Sequence, residues 1–185
     1  MKNYPKRIKN TLHSVIRDMA KHPENFCRCP EKDFTRNRKL PLEKVLTLLV
    51  KMGGHSLRDE MLDCIDFEEM PATVSALVQQ RNKLLPEALD YLFREFTNRC
   101  HDPKTYKGYR LLAVDGSDLQ FTANPNDPLS YFPGVNGQKP YSFLHLNALY
   151  DLSSNLYLDA VVQKRRAANE NAALVSMVDR SGIDE

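Results

Sequence analysis

The sequence predicts an α+β chain with its helices first and its strands later. Three observations carry that reading. Up to about Phe96 the apolar residues recur at three- and four-residue intervals, the spacing of one helix face. From Tyr109 they gather into short runs separated by Asn, Asp, Gly and Pro, as strands and their turns do. Over 168–180 helical spacing returns through Ala172, Ala173, Val175, Met177 and Val178. The expected organisation is a helical region over 1–108, then three strands and a helix over 109–185.

Residues 4–21 place Ile8, Leu12, Val15, Ile16 and Met19 on one face with basic residues between them. Residues 22–40 have little periodicity, two prolines and the cluster Arg36-Asn37-Arg38-Lys39, and read as a loop or arm. Pro41 suits the first turn of a helix, where a missing amide costs nothing. Leu42, Val45, Leu46, Leu49, Val50 and Met52 continue as its stripe until Gly53-Gly54 ends it. Ser56 caps a second helix, with Asp59 and Glu60 complementing its dipole. Thr73 caps a third, expected over 74–85, and Pro86 restarts a fourth along Leu89, Leu92, Phe93 and Phe96. Residues 98–108 read as a linker.

In the second region Tyr109–Val114 reads as a strand, and Asp115-Gly116-Ser117-Asp118 as the turn at its end. Leu119–Thr122 is a possible short partner, and 124–137, rich in Asn, Pro, Asp and Gly, is expected to be loop. Ser142–Tyr150 and Leu156–Val162 are strands separated by a turn over 151–155. An aspartate at the end of a buried strand, followed by glycine, is held rigidly where it can grip a divalent cation. Asp-Gly is also a common turn dipeptide with no such role. Asp115 is therefore the candidate catalytic and metal-ligating residue, with Asp118 as a neighbour.

Composition narrows the partners. A chain of 185 residues with 42% hydrophobic and 27% charged residues is ordinary for a soluble globular protein. No stretch approaches the roughly 20 apolar residues of a membrane span, and the basic amino terminus has no apolar signal core behind it. A cytoplasmic protein with no membrane partner is expected. Cys27, Cys29, Cys64 and Cys100 do not form a secreted disulfide framework, and the Cys27-x-Cys29 spacing is wrong for a zinc knuckle, so free thiols are expected.

The net charge of +2 conceals a division. Residues 1–58 hold 14 Lys and Arg against 5 Asp and Glu, an excess of +9; residues 59–185 hold 12 against 19, a balance of −7. A basic front suits contact with a polyanion, and a solvated basic arm has the same composition. The third helix is polar and basic outside its apolar stripe, like the last helix of a helix-turn-helix. The candidate DNA-binding residues are Arg36, Arg38 and Lys39 in the loop or arm, with Ser75, Gln79, Arg81 and Lys83 on the third helix. A helical bundle with a solvated face fits that helix equally well.

Several stretches in unbroken order resemble DDE-type insertion-sequence transposases, the group named after insertion sequence four. They are Phe34-Thr35-Arg36-Asn37-Arg38-Lys39-Leu40-Pro41, Thr73-Val74-Ser75-Ala76-Leu77-Val78-Gln79-Gln80-Arg81, Leu112-Ala113-Val114-Asp115-Gly116-Ser117 and His145-Leu146-Asn147-Ala148-Leu149-Tyr150-Asp151, extended by Tyr157-Leu158-Asp159-Ala160 and Asn169-Glu170. The resemblance implies a helical DNA-binding region followed by a ribonuclease-H-like domain, incomplete here with three strands and a helix. It implies Mg²⁺-dependent cleavage and transfer of transposon-end DNA, with Asp115 as the first metal ligand. The partners implied are transposon ends and a second copy of the chain or a full-length transposase. The chain departs from the pattern at Asp179-Arg180-Ser181-Gly182, where the aromatic residue of the second acidic motif is missing and no apolar strand precedes. Asp179 is accordingly aligned with the end of a helix, and the second Asp and the Glu of the metal site are absent. The expectation is a truncated chain, inactive alone, or a non-enzymatic DNA-binding relative that inhibits a complete transposase.

Overall fold

The structure, a computed structural model, describes residues 4–36, 39–64 and 72–181. Among these residues six α-helices precede or follow a four-stranded antiparallel sheet, so the expected α+β class holds. The chain divides into two compact units, Met1–Cys100 and His101–Glu185. No helix of the described residues is long and apolar enough to cross a membrane.

The first unit is helical: α1 (Tyr4–Lys21), α2 (Leu42–Lys51), α3 (Leu57–Cys64), α4 (Val74–Arg81) and α5 (Glu87–Cys100). The stripes read from the sequence converge on one core. Val15, Ile16 and Met19 of α1 meet Leu42, Val45, Leu46 and Leu48 of α2, Met61 of α3, Leu77 of α4, and Ala88 and Leu92 of α5. The Thr73 hydroxyl accepts from the Ala76 amide (3.2 Å) and caps α4, while the Ser56 hydroxyl accepts from the Asp59 amide (3.3 Å) ahead of α3. Buried Glu60 accepts from the amides of Gly53 (2.7 Å) and His55 (2.8 Å), which fixes the exit from α2.

Two expectations about this unit need correction. The third helix ends at Arg81 rather than Leu85, because 83–85 pair with the segment after α1. The Arg28 amide donates to the Lys83 carbonyl (2.8 Å), the Leu85 amide donates to the Phe26 carbonyl (3.0 Å), and Cys27 forms a bridge with Leu84. The stretch 26–36 is thereby pinned to the helical core rather than free as an arm. The expected linker also starts late, since α5 runs on to Cys100 with Thr97 and Cys100 buried.

The second unit is a sheet of β1 (Leu112–Phe121), β2 (Tyr131–Phe132), β3 (Tyr141–Asp151) and β4 (Leu156–Lys164), followed by α6 (Glu170–Arg180). Strand β3 is central, with β1 along one edge and β2 and β4 along the other, all antiparallel. Asp115-Gly116-Ser117-Asp118 is not a turn but the middle of β1, paired with Ala148, Asn147, Leu146 and His145. The physical reason is Gly116. A Cβ there would lie 2.8 Å from His145 Nε2, so the glycine makes room for a neighbouring side chain instead of bending the strand. Tyr131–Phe132, expected to be loop, forms a short strand because Phe132 stacks on Tyr141 (5.6 Å between centroids) and meets Phe143 edge-on (5.9 Å).

Antiparallel partners share a face of the sheet. Leu112, Val114, Gly116 and Asp118 therefore lie with Asp151, Leu149, Asn147 and His145, on the face where Ala173 and Met177 of α6 pack. The opposite face carries Asp115, Ser117 and Leu119 of β1 and Val162 of β4, all exposed, Leu119 at 46% and Val162 at 58%.

Candidate functional site

Arg36 and Lys83, 47 positions apart in sequence, line one cavity of about 180 Å³ in the helical unit. Pinning 26–36 against 83–85 is what brings them together. Lys32, Thr35, Leu40 and Gln80 complete the walls with Glu31 and Phe34. Lys83 Nζ lies 3.8 Å from the Asp33 carboxylate and 5.8 Å from the centroid of the Phe34 ring. Asp33 is itself buried and accepts from the Cys29 amide (3.0 Å), so the base of the segment is held by its own side chain. Phe34 has φ 56, a left-handed conformation that costs a bulky residue roughly 1–3 kcal/mol. Gln80 Oε1 is buried with no hydrogen-bond partner, an arrangement that costs about 1–3 kcal/mol.

The remaining candidate residues of this unit do not share the cavity. Ser75, Gln79 and Arg81 are exposed along α4, and Lys39 is exposed beyond Arg36. Arg38 lies outside the described residues. Sequence reasoning missed Gln80 and Phe34. Gln80 follows Leu77 by three positions, and that spacing alone turns it toward the core side of α4. Nothing in the sequence announces the backbone of Phe34.

In the sheet unit Asp115 is exposed in the middle of β1, on the face away from α6, and one of its oxygens accepts from the Gly116 amide (2.9 Å). Its neighbours on that face in β1 and β3 are Ala113, Ser117, Leu146, Ala148 and Tyr150, none of them acidic. Mg²⁺ keeps to near-octahedral oxygen coordination and dehydrates reluctantly, so these residues alone do not hold it. Among the described residues no cluster of three His, Cys, Asp or Glu side chains could hold a metal ion.

Asp118 does not join Asp115; it points to the opposite face. Its Oδ1 lies 2.7 Å from His145 Nδ1 and its Oδ2 accepts from Arg165 Nε (2.8 Å). The hydrogen bond from His145, and then that from Arg165, hold the carboxyl below its ordinary value. His145 is buried, with Nε2 3.2 Å from a Glu170 oxygen but not aligned with it for a hydrogen bond. The helix α6 is tied to the sheet at its C-terminal end by Arg180, whose Nε donates to buried Asp159 (2.9 Å). As expected, Asp179 belongs to that helix.

The cations at the end of β4 and just after it have internal partners. Lys164 pairs with Asp127 (2.9 Å), Arg165 with Asp118, and Arg166 donates to the Tyr131 carbonyl (3.1 Å) and covers the Phe132 ring (4.5 Å). Lys164 and Arg166 thereby tie the segment 124–137 to the sheet, and Arg165 ties the end of β4 to β1. Cys27, Cys29 and Cys100 are free thiols. No family model, curated protein or solved structure matches this chain.

Proposed function

We propose that this chain is a transposase-like DNA-binding protein. Its helical unit engages transposon-end DNA, and its sheet unit presents Asp115 as the first acidic residue of a ribonuclease-H-like centre. The observation that carries the reading is the position of Asp115. Asp115 lies on the first long strand, the strand on which the resemblance puts the first acidic residue, though in its middle rather than at its end, and it is exposed while its neighbour Val114 packs toward α6. The path of the chain supports it: the three long strands are antiparallel in the order β1-β3-β4, and the next helix packs on the sheet. Among the described residues β1 is paired along one edge, leaving the other for the further strand the resemblance implies. The Mg²⁺ it also implies would need oxygen ligands beyond those described.

A second reading, a DNA-binding protein without catalysis, is favoured by one observation: Asp115 has no acidic neighbour on its face in β1 or β3. Both readings place DNA on the same basic surface, formed by Arg36 and Lys39 with Ser75, Gln79, Arg81 and Lys83. In gel-shift titrations of the full chain across a salt series, Arg81→Ala should weaken sequence-selective binding by roughly 1–3 kcal/mol. Lys39→Ala should weaken binding to every sequence and reduce the salt slope by about 1. Equal affinity of both variants and the unaltered protein refutes the surface, and a protein that binds no duplex at any salt refutes both readings. Measured beside them, Asp115→Asn should leave duplex affinity unchanged.

A further inference from the structure

Helix α1 carries a second charged surface, on the side away from the helical core. Its apolar stripe is used up by that core: Val15, Ile16 and Met19 are buried where α1 packs on α2 and α5, with Leu12 beside them. On the opposite side Lys6, Lys9, Asn10 and Arg17 are exposed, with half-buried His13 among them. They follow one another at three- and four-residue steps, as neighbours on one helix face do. Asp18 is the only acidic residue of the helix, and Lys21 and Arg99 already occupy it, each at 2.8 Å. Among the described residues Lys6, Lys9 and Arg17 have no ion-pair partner. Arg17 Nε donates only along its own helix, to the His13 carbonyl (3.3 Å).

These charges oppose the helix that carries them. Lys6 and Lys9 are like charges three residues apart, and no acid in the first turn offsets the helix dipole there. Nothing in the core requires them, so the row suits an anion from outside the chain. It has no apolar residue and no Phe, Tyr or Trp, on which the buried centre of a protein interface is built. A helix that lies in a bilayer sinks an apolar face into it, and α1 has already buried its own. A chain of phosphates needs neither.

We propose that the outer face of α1 lies along the sugar–phosphate backbone of duplex DNA, with Lys6, Lys9 and Arg17 each on a phosphate. From Lys6 to Arg17 the helix rises about 16 Å. One DNA strand carries about five phosphates over that length, so three contacts fit. Such contacts fix position and strength without reading sequence. This inference rests on the DNA-binding reading above and gives it a further, sequence-blind face.

The test titrates the full chain into a labelled duplex of arbitrary sequence, by fluorescence anisotropy from about 50 to 200 mM salt. Lys6→Gln, Lys9→Gln and Arg17→Gln together should reduce the slope of log affinity against log salt by about 2.7, at about 0.9 per phosphate contact. Lys9→Gln alone should reduce it by about 0.9. Lys21→Gln removes the same charge from the same helix, but one paired with Asp18, and should leave the slope unchanged. The triple variant should unfold in urea at no lower midpoint than the unaltered protein; a lowered midpoint shows that the row serves the fold and overturns the proposal. Equal losses from Lys9→Gln and Lys21→Gln overturn it in favour of net charge alone. An unchanged slope in the triple variant, with Lys39→Ala still reducing it, overturns the α1 face and leaves the proposed function intact. Absence of duplex binding at any salt removes both. Tighter binding to phosphatidylserine vesicles than to duplex, lost in the triple variant, overturns it in favour of a membrane surface.

Discussion

Among the described residues the helical unit buries thirteen apolar side chains in one continuous core, whereas the core of the sheet unit has three, Leu149, Ala173 and Met177. The sheet unit instead buries Ser130, Ser142, His145, Asn147, Asp151 and Asp159. The contrast teaches that two regions of one chain reach order by different means. Helices whose stripes converge are held by removing apolar area from water, which tolerates small shifts in geometry. A sheet with one helix on one face relies on polar groups that must each find a partner, because an unpaired buried group costs more than a made bond returns.

Breaking the helical core should give the largest effect. Leu46→Ala, at a fully buried position of α2, should cost about 2–5 kcal/mol in urea unfolding. A loss below about 1 kcal/mol would mean that this core is not what holds the unit. The counterpart in the sheet unit is polar. Asp151 is fully buried and accepts from the amides of Ser153 (2.8 Å) and Ser154 (3.1 Å), with His101 Nε2 at 3.1 Å. Asp151→Ala strands those donors and should cost about 1–3 kcal/mol. If it costs less than removing a partly buried apolar side chain such as Val114, the contrast between the units fails.

Gly116→Ala sharpens the comparison within the sheet. Its new Cβ meets His145 Nε2 at 2.8 Å and Asn147 Oδ1 at 3.4 Å, so about 1–3 kcal/mol of overpacking is expected. Adding His145→Ala should recover part of that loss, and strict additivity in the double-mutant cycle would show that the imidazole is not the obstacle.

Acid should separate the units more gently. Burial pushes the Asp151 carboxyl up, but the His101 hydrogen bond and the Ser154 and Ser153 amides outweigh it and leave it below its ordinary value. Its contribution is therefore complete above the ordinary carboxylate value and is lost as pH falls through the depressed one. Stability of the sheet unit should decline over that window, and Asp151→Asn should remove this part of the decline. In the helical unit the hydrogen bonds from Lys21 and then Arg99 lower Asp18 to about 2. The tie from α5 to α1, Arg99 Nη1 to Asp18 at 2.8 Å, should persist until the pH approaches that value. Circular dichroism across an acid titration, with Asp18→Asn as control, checks both.

The helical unit was largely legible because its signals are local. Periodic apolar residues, the Thr73 and Ser56 caps and the Gly53-Gly54 stop each act within a few residues, and the observed helices follow them. The misreadings share one cause. Asp115-Gly116 looks like a turn until β3 supplies a partner and His145 claims the space above the glycine. Tyr131–Phe132 looks like loop until Tyr141 and Phe143 arrive from elsewhere in the chain.

By itself the sequence determined the α+β division, the helix stripes, the two long strands after residue 140 and the strand that leads into Asp115. Tertiary structure alone decided that Arg36 and Lys83 share a cavity with Gln80, that Asp115 and Asp118 face opposite ways, and that Gly116 yields its space to His145. The reason is range. Propensity and periodicity are properties of neighbours along the chain, while a site depends on pairings between distant segments, and one residue of strand register decides which face a side chain takes.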